Sequence, residues 1–407
     1  MPSKPRLFAP VDALVVATMF LTIVSGAGAT PKYKVLHAFG IGKDGAGLWA
    51  GLVLDGKGNL YGTTSGGGAS GDGTVFRLTP RPAGKWAETV LHNFNGNDGS
   101  DPVGGVTLDA AGNLYGATVL GGGPYKYGTV FQLTPGTHGW KEVMLHRFGQ
   151  KDYGADPEST LVMDAKGNLY GTAPGSAFEL TPVSHGWKEI ILHVFTGEHG
   201  DGFGAYTGMT MDAAGNLYGE TLHGGTSTRC GGGCGTAYQL QRTADGWKER
   251  ILHDFGAIGD GAFPLGTLSL DSAGNLYGTT GVGGTTGNGT VYRLTLQADG
   301  HWKETIVYSL TGGANGIEPG GGVVMDKAGN LYGTTTAGGS PNCECGIVYK
   351  LSPGPEGKWN FKVLHTFVGT DGAQPVGELI LDDKGNLYGN TITGGAGGYG
   401  VAFELTP

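Results

Sequence analysis

A five-residue motif, Gly-Asn-Leu-Tyr-Gly, recurs seven times along the 407-residue chain and constrains its fold more than any other feature. The copies span residues 58–62, 112–116, 167–171, 215–219, 274–278, 329–333 and 385–389. Their Asn residues are 54, 55, 48, 59, 55 and 56 residues apart. Repetition at a nearly constant period of this length indicates one supersecondary unit per copy, with the units stacked into an array.

Each unit contains four short segments rich in Val, Leu, Tyr, Thr and Phe. In residues 98–148 they read GVTLD, NLYGAT, GTVFQLTP and WKEVMLHRF, with turn residues between them. Such segments are typical of antiparallel strands joined by tight turns, and a composition with 83 glycines and only 15% charged residues fits a turn-rich chain. The sequence therefore predicts an all-β fold, a seven-bladed β-propeller with four antiparallel strands per blade. A β-helix, whose coils are shorter, is the weaker alternative.

The two ends of the repeat region complement each other. The last unit stops at residues 400–407, one strand short of a blade, while residues 33–39 (YKVLHAF) match the missing strand. We expect the N-terminal strand to join the last blade and close the ring, which removes the free strand edges of an open array. Residues 30–407 are thus predicted to form a single propeller domain.

The first 29 residues have the features of a secretory signal peptide. Lys4 and Arg6 precede an apolar stretch near residues 13–24, and Ala27-Gly28-Ala29 fits a small-x-small cleavage pattern near Ala29. An uncleaved membrane anchor is the weaker alternative, because the apolar stretch is short. We expect a secreted or periplasmic monomer that does not insert into a membrane after cleavage. A net charge of −9 without a basic run argues against nucleic-acid partners.

The units resemble the GloVer tandem-repeat family, the "choice-of-anchor" repeat proteins of bacteria. The matching elements are D-x-x-G-N-L-Y-G-T-T, a Gly-Gly loop, G-T-V-F-x-L-T-P and L-H-x-F, and they cover residues 33–407. The resemblance implies a secreted or surface-displayed repeat protein, and it supplies no catalytic motif to transfer.

Three residue types recur in nearly every unit and are interpreted as parts of the fold. The Asp of D-x-x-G-N starts a hairpin turn, because its side chain can accept backbone N–H bonds while Gly takes the positive φ. The Trp of the fourth strand is expected to pack between blades. The L-H-x-F histidines are too numerous for one active site and predict a shared packing or hydrogen-bonding role; they are His37, His92, His146, His193, His253 and His365, with Ser309 at the equivalent place in the sixth unit.

The four cysteines fall into two close pairs, Cys230 with Cys234 and Cys343 with Cys345. In an exported protein this pattern predicts two local disulfides, each in the loop between the second and third strands of its unit. A zinc site formed by His223, Cys230 and Cys234 is the sharper alternative, but the spacing is not a standard zinc pattern. We therefore assign no metal and no cofactor.

Function should reside where one unit departs from the common pattern. Two positions vary in chemistry while their neighbours do not. Six residues before each turn Asp the units carry Trp49, Val103, Glu158, Tyr206, Leu265, Gly320 and Val376. Two residues earlier they carry Gly47, Asp101, Asp156, Gly204, Phe263, Glu318 and Gln374. Directly after Tyr-Gly, where the other units have Thr or Ala, the fourth and seventh units have Glu220 and Asn390.

These departures predict a ligand site on the loop face, near the mouth of the central channel. The loop face is the face of the ring that carries the loops between the second and third strands and the loops between consecutive blades. We expect it to bind a carbohydrate or a cell-surface protein without catalysis, because aromatics beside carboxylates suit stacking and hydrogen bonding to polar ligands. The predicted site residues are Trp49, Asp101, Asp156, Glu158, Tyr206, Glu220, His223 and Asn390. One alternative is a lyase or hydrolase in which Glu220 and His223 form an acid–base pair. Another is a structural or display scaffold.

Overall fold

Every blade is built on the same four-stranded antiparallel sheet, with the shortest strand innermost and the strand of the L-H-x-F segment, or its equivalent in blade 5, outermost. A computed structural model describes residues 30–40, 42–124, 126–149 and 155–407, so the predicted signal peptide lies outside the described residues. Residues Pro31–Pro407 form one compact unit. Among the described residues, no helix is long and apolar enough to cross a membrane.

The strands of the first three blades, from the innermost strand outward, follow chain order. Blade 1 contains β2 (Val53–Leu54), β3 (Leu60–Thr64), β4 (Thr74–Pro80) and β5 (Trp86–Asn93). Blade 2 contains β6 (Thr107–Leu108), β7 (Leu114–Thr118), β8 (Thr129–Gly136) and β9 (Gly139–Arg147). Blade 3 contains β10 (Val162–Met163), β11 (Leu169–Ala173), β12 (Ser176–Val183) and β13 (Gly186–Val194).

The next three blades add short strands on the loop face. Blade 4 contains β15 (Thr210–Met211), β16 (Leu217–Thr221), β18 (Thr236–Thr243) and β19 (Gly246–Asp254), beside the pair β14 (Gly202–Phe203) and β17 (His223–Gly224). Blade 5 contains β21 (Ser269–Leu270), β22 (Leu276–Gly283), β23 (Thr290–Leu296) and β24 (Trp302–Ser309), with β20 (Gly261–Pro264) paired to β22. Blade 6 contains β26 (Val324–Met325), β27 (Leu331–Ala337), β28 (Ile347–Pro353) and β29 (Trp359–Thr366), with β25 (Ile317–Pro319) paired to β27. Three single-turn 3-10 helices lie in connecting loops at Pro82–Gly84, Gly313–Asn315 and Pro355–Gly357.

Blade 7 joins the two ends of the repeat region. It contains β30 (Ile380–Leu381), β31 (Leu387–Asn390), β32 (Val401–Thr406) and, as its outermost strand, β1 (Lys32–Ala38). β1 runs antiparallel to β32, with Lys32 opposite Thr406 and Ala38 opposite Val401. The prediction of a seven-bladed propeller closed by the N-terminal strand is therefore confirmed.

The turn between the first two strands of each blade is organised by its Asp side chain. In blade 7, one oxygen of Asp382 accepts the backbone N–H groups of Lys384 and Asn386 at 2.9 and 2.8 Å. The other accepts the side-chain amide of Asn386 at 2.8 Å and the hydroxyl of Tyr388 at 3.2 Å. Gly385 takes a φ of 84°, which a side chain would disfavour. The same network surrounds the turn Asp of the other six blades.

The final glycine of the motif provides room for an aromatic ring on the neighbouring strand. A Cβ atom at Gly62 would lie only 2.7 Å from the ring of Phe76, and the equivalent glycines meet a Phe or Tyr ring in the same way. Since the Leu of the motif is fully buried in every blade, each residue of Gly-Asn-Leu-Tyr-Gly has a defined structural role.

Aromatic contacts join each blade to the next. Trp140 of blade 2 packs edge-on against Tyr61 of blade 1, with their ring centroids 6.1 Å apart, and Trp86 of blade 1 meets Tyr388 of blade 7 in the same way. Phe94, from the L-H-x-F segment, lies 5.1 Å from Phe131 of the next blade. The tryptophans therefore pack between blades, as predicted.

The position assigned to Ser309 is corrected by the strand register. Val291 lies opposite Tyr308, as Val75 lies opposite His92, and Ser309 lies opposite Thr290. Tyr308 therefore occupies the histidine position of blade 5. A β-bulge in the outer strand shifts the register at this point.

We predict that Asp382→Asn lowers the free energy of unfolding at pH 7 by about 2 kcal/mol, since hydrogen bonds to a charged group are lost. Burial raises the pKa of Asp382, but hydrogen bonds from Asn386 and Lys384 outweigh this effect and leave the pKa below its ordinary value. The stabilisation is thus present above the unfolded-state pKa of about 3.9 and is lost as the pH falls through the lower folded-state pKa. Urea unfolding should show a smaller difference in the free energy of unfolding between Asp382→Asn and the wild type at pH 3 than at pH 7.

The neighbouring Asp383→Asn is the matched control, because Asp383 is exposed in the same turn. An equal loss of stability in both variants at pH 7 would contradict the assigned role of Asp382.

Candidate functional site

All seven blades contribute to one cavity of about 560 Å³ at the mouth of the central channel. The residue six positions before each turn Asp lines it in every blade: Trp49, Val103, Glu158, Tyr206, Leu265, Gly320 and Val376. The fold therefore brings together the position whose chemistry varies most between units. Of the predicted site residues, Trp49, Glu158 and Tyr206 lie in this lining.

The two aromatic side chains of the cavity each lie against a glycine. The Trp49 side chain packs near Gly47, and a Cβ atom at Gly204 would lie 2.8 Å from the ring of Tyr206. Gly47 and Gly204 are the only glycines in the position two residues upstream. The glycine and the aromatic thus form a matched pair in blades 1 and 4. Trp49 remains 49% exposed, so its indole is available to a ligand.

The upstream position has a left-handed backbone in all seven blades. Gly47 and Gly204 have φ values of 75° and 76°. The five other residues are not glycine, yet they adopt φ values of 55–59°: Asp101, Asp156, Phe263, Glu318 and Gln374. A non-glycine residue in this region is uncommon and costs of order 1 kcal/mol or more. The rim of the cavity therefore holds five unfavourable backbone conformations, one in each of five blades.

The carboxylates of the cavity are concentrated at blades 2 and 3 and at blades 6 and 7. Burial raises the pKa of Glu158, and the nearby charges of Asp156 and Asp101 raise it further. Asp101 and Asp156 thus lie close enough to the lining residue Glu158 for their charges to affect it. Glu318 and Glu378 also line the cavity, whereas its described lining contains no Lys, Arg or His.

Glu378 was not identified from the sequence. Its side chain accepts a hydrogen bond from the backbone N–H of Thr267 in blade 5 at 2.8 Å. Glu378 and Thr267 also border a second cavity of about 450 Å³, which is lined by residues of the innermost strands. The sequence nevertheless contains a signal for Glu378, which lies four residues before the turn Asp of blade 7. At this position the other blades carry only Gly or Thr.

Glu220 and Asn390 lie in the blade interfaces rather than in the cavity lining. Each is 1% exposed. At the same position Thr63 donates a hydrogen bond to the carbonyl of Gly104 in the next blade at 2.9 Å. Asn390 makes the corresponding contact with the carbonyl of Ala50 at 2.7 Å. Glu220 instead accepts a hydrogen bond from the hydroxyl of Tyr292, and its Oε2 has no hydrogen-bond partner among the described residues.

His223 lies apart from Glu220. Its ring packs edge-on against Phe263, a residue of the cavity lining, at 5.5 Å between centroids. Residues three apart on extended backbone point to opposite faces, and no hydrogen bond joins Glu220 to His223 among the described residues. The fold does not bring the two together as an acid–base pair.

Both cysteine pairs form disulfides. Cys230 is bonded to Cys234 and Cys343 to Cys345, with Cα atoms 5.1 and 5.2 Å apart. Each bridge lies between the second and third strands of its blade, as predicted. The sulfur atoms of Cys230 and Cys234 are thus bonded to each other instead of being available to hold zinc with His223.

We predict that Glu220→Gln stabilises the protein increasingly as the pH rises. Burial raises the pKa of Glu220 well above its ordinary value, although the Tyr292 hydrogen bond opposes this effect. The folded state therefore retains a proton that the unfolded chain releases above pH 4.3, which costs about 1.4 kcal/mol per pH unit between the two pKa values. Gln keeps the shape and an acceptor for Tyr292 without this cost.

Thermal unfolding between pH 4 and pH 8 measures the difference in stability between Glu220→Gln and the wild type. Glu198→Gln, at an exposed position, is the control and should differ from the wild type by the same amount at every pH. A Glu220→Gln curve parallel to the wild-type curve would rule out a protonated buried Glu220.

Several solved structures share the propeller fold at low sequence identity. The extracellular domain of a hybrid two-component system from B. thetaiotaomicron is 11% identical, with a TM-score of 0.56 over 91% of this chain and 39% of that chain. PorZ, a surface component of the type-IX secretion system of Porphyromonas gingivalis, is 17% identical, with a TM-score of 0.53 over 90% of this chain and 47% of that chain. A gluconolactonase from Xanthomonas campestris is 13% identical, with a TM-score of 0.43 over 92% of this chain and 89% of that chain. The first two likenesses show the fold alone, and the third is too weak to support an inference.

Sequence comparison identifies the family. No curated protein matches the chain significantly. The family model described as the Gloeobacter/Verrucomicrobia repeat matches residues 22–230 and 173–403, which together span nearly the whole chain. The chain belongs to the Gloeobacter/Verrucomicrobia repeat family.

Proposed function

We propose that this protein is an exported, non-enzymatic repeat protein that binds a carbohydrate in the cavity at the mouth of the central channel. The observation that carries this function is the convergence of seven variable residues, one from each blade, on a single cavity. The positions that define the blade are the same from unit to unit, whereas this position differs in every blade except two. Residues that serve only to build the blade have no reason to differ in this way.

The size of the cavity favours a small ligand over a protein. A volume of about 560 Å³ lies within the range of pockets that enclose small molecules. A protein partner would instead need a contact area of about 800 Å² on this face.

The chemistry of the lining favours a neutral or basic sugar. Trp49 and Tyr206 offer aromatic faces from blades that are three apart, and such faces stack on the apolar faces of sugar rings. Glu158, Glu318 and Glu378 can accept hydrogen bonds from hydroxyl or amino groups. Because the described lining has no cationic side chain, an acidic sugar would be repelled.

We predict that Trp49→Ala and Tyr206→Ala each weaken binding of a neutral oligosaccharide roughly tenfold or more, equivalent to about 1.4 kcal/mol. The ligand is first identified on a glycan array with the wild-type protein, and affinities are then measured by isothermal titration calorimetry. Glu158→Gln should weaken binding less, because it keeps one acceptor oxygen.

Leu296→Ala is the control, since this residue is 52% exposed at the end of β23, on the face opposite the cavity. Equal affinities of Trp49→Ala, Tyr206→Ala and wild type would refute the cavity as the binding site. A wild-type protein that binds no glycan while retaining a protein partner in a pull-down would favour the scaffold role.

Export is part of the proposed function, because the ligand would be met outside the cytoplasm. Two local disulfides are consistent with an oxidising compartment. We predict that the protein recovered from the secreted or periplasmic fraction begins at Thr30, which N-terminal sequencing or intact mass would establish. Recovery of an uncleaved chain from the membrane fraction would instead identify residues 1–29 as an anchor.

A further inference from the structure

The outer strands carry a second repeated arrangement, which lies apart from the cavity. At the junction between consecutive blades, the L-H-x-F His of one blade faces the Asp of the following loop and the Glu of the next outer strand; we call these three residues a junction triad. Among the described residues, complete triads occur at four junctions: His37/Asp44/Glu88, His92/Asp98/Glu142, His193/Asp201/Glu249 and His253/Asp260/Glu304.

A β-bulge allows one outer strand to serve two junctions. In β19, Ile251 lies opposite Tyr238, but His253 lies opposite Ala237, so that Leu252 is the extra residue. Because Ala237 and Tyr238 point to opposite faces, His253 points away from the face that Ile251 and Glu249 share. Glu249 therefore reaches back to blade 3, while His253 reaches forward to blade 5.

The three members of a triad are absent together at one junction. Between blades 5 and 6, the His, Asp and Glu positions hold Tyr308, Asn315 and Phe361. Tyr308 stacks on Phe361, with ring centroids 4.6 Å apart and planes 4° apart. A blade junction can thus be built without the triad. Between blades 6 and 7 only the Glu position changes: Tyr33 stacks on His365, which still contacts Asp371.

Within the part of the chain that the structure describes, two junctions bring all three donor atoms close to one point. The His193 Nε2 atom lies 3.1 Å from the Asp201 carboxylate and 3.4 Å from the Glu249 carboxylate. The His253 Nε2 atom lies 3.0 Å from the Asp260 carboxylate and 3.9 Å from that of Glu304. In each group the donor atoms lie within 4.8 Å of one another. Ligands of a tetrahedral ion at 2.0–2.2 Å are themselves about 3.3–3.6 Å apart, so little movement is required.

The two carboxyl groups of each of these triads favour the binding of a cation. Each holds two carboxyl groups and one imidazole in a partly buried interface, which is unfavourable for two ionised carboxylates without a counter-charge. The Oε1 atoms of Glu249 and Glu304 are buried without a hydrogen-bond partner among the described residues. A divalent ion would compensate the charge and engage these carboxylates.

We propose that the junction triads His193/Asp201/Glu249 and His253/Asp260/Glu304 are two binding sites for a divalent transition metal of the Zn²⁺ type, which would join blades 3, 4 and 5. One imidazole and two carboxylates form a mixed nitrogen and oxygen donor set, which suits Zn²⁺ better than Ca²⁺ or Mg²⁺. Each site offers three protein ligands, so a fourth position is open to water.

The test is calorimetric titration of ZnCl₂ into the untagged, chelator-treated protein. The wild-type protein should bind two equivalents with roughly micromolar affinity or tighter. Glu249→Gln and Glu304→Gln should each lose one equivalent, or bind it at least roughly tenfold more weakly, and the double variant should lose both. Zn²⁺ should raise the unfolding temperature of the wild type but not that of the double variant. CaCl₂ should give no binding.

Glu356→Gln, at an exposed glutamate on the outer hairpin of blade 6, is the control and should retain both equivalents. Circular dichroism and the metal-free unfolding temperature establish that each variant is folded. Wild-type protein that binds no zinc would overturn the proposal, as would a folded double variant that binds as much as wild type. Both outcomes are independent of whether a carbohydrate binds in the channel cavity.

Discussion

The propeller depends on a carboxylate held inside a hairpin turn. In each blade, one Asp side chain satisfies two backbone N–H groups, a side-chain amide and a Tyr hydroxyl. This network fixes the pairing of the innermost strand with its neighbour, and the residues just upstream of the innermost strand form the channel mouth. The innermost strands contain only two paired residues each, so their position would be weakly determined without the turn. The turns on the face of the ring opposite the cavity therefore determine the geometry of the cavity.

Constant and variable residues are separated by this arrangement. The residues that build the turn, the glycine that accommodates the aromatic ring and the aromatics between blades recur with few changes. The channel mouth receives a different side chain from almost every blade. Because the backbone there is fixed by the blade, including five non-glycine residues in a left-handed conformation, a change of side chain alters the lining without altering the fold.

The sequence was sufficient for the fold and for much of the cavity. Four strand segments per unit, a fixed period and complementary ends define a closed seven-bladed ring. Counting back from the turn Asp identified Trp49, Glu158 and Tyr206, because one turn network fixes the same register in every blade. The interfaces between blades were harder to predict. Glu220 and Asn390 depart from the pattern as clearly as Trp49 does, yet they face a neighbouring blade, and only the packed structure separates a buried departure from an exposed one. Ser309 was misplaced although the spacing of six residues from the Trp of the same strand leads to Tyr308. Glu378 was missed although the other blades carry only Gly or Thr at its position, and its contact with Thr267, two blades away, is evident only in the structure.

Closure of the ring has a consequence for the order in which the chain can fold. Lys32 pairs with Thr406, and the Tyr33 hydroxyl donates a hydrogen bond to the carbonyl of Asp371, which lies 338 residues later in the sequence. Blades 1 to 6 contain only local strand pairings, so each can form soon after its own residues are free. The last blade must wait for both ends, and such distant contacts form slowly because the intervening chain must first be brought together. Until that moment the outer edge of β32 is unpaired and open to strands of other chains. The final pairing therefore sets both the time at which the ring becomes complete and the interval during which it is most vulnerable to aggregation.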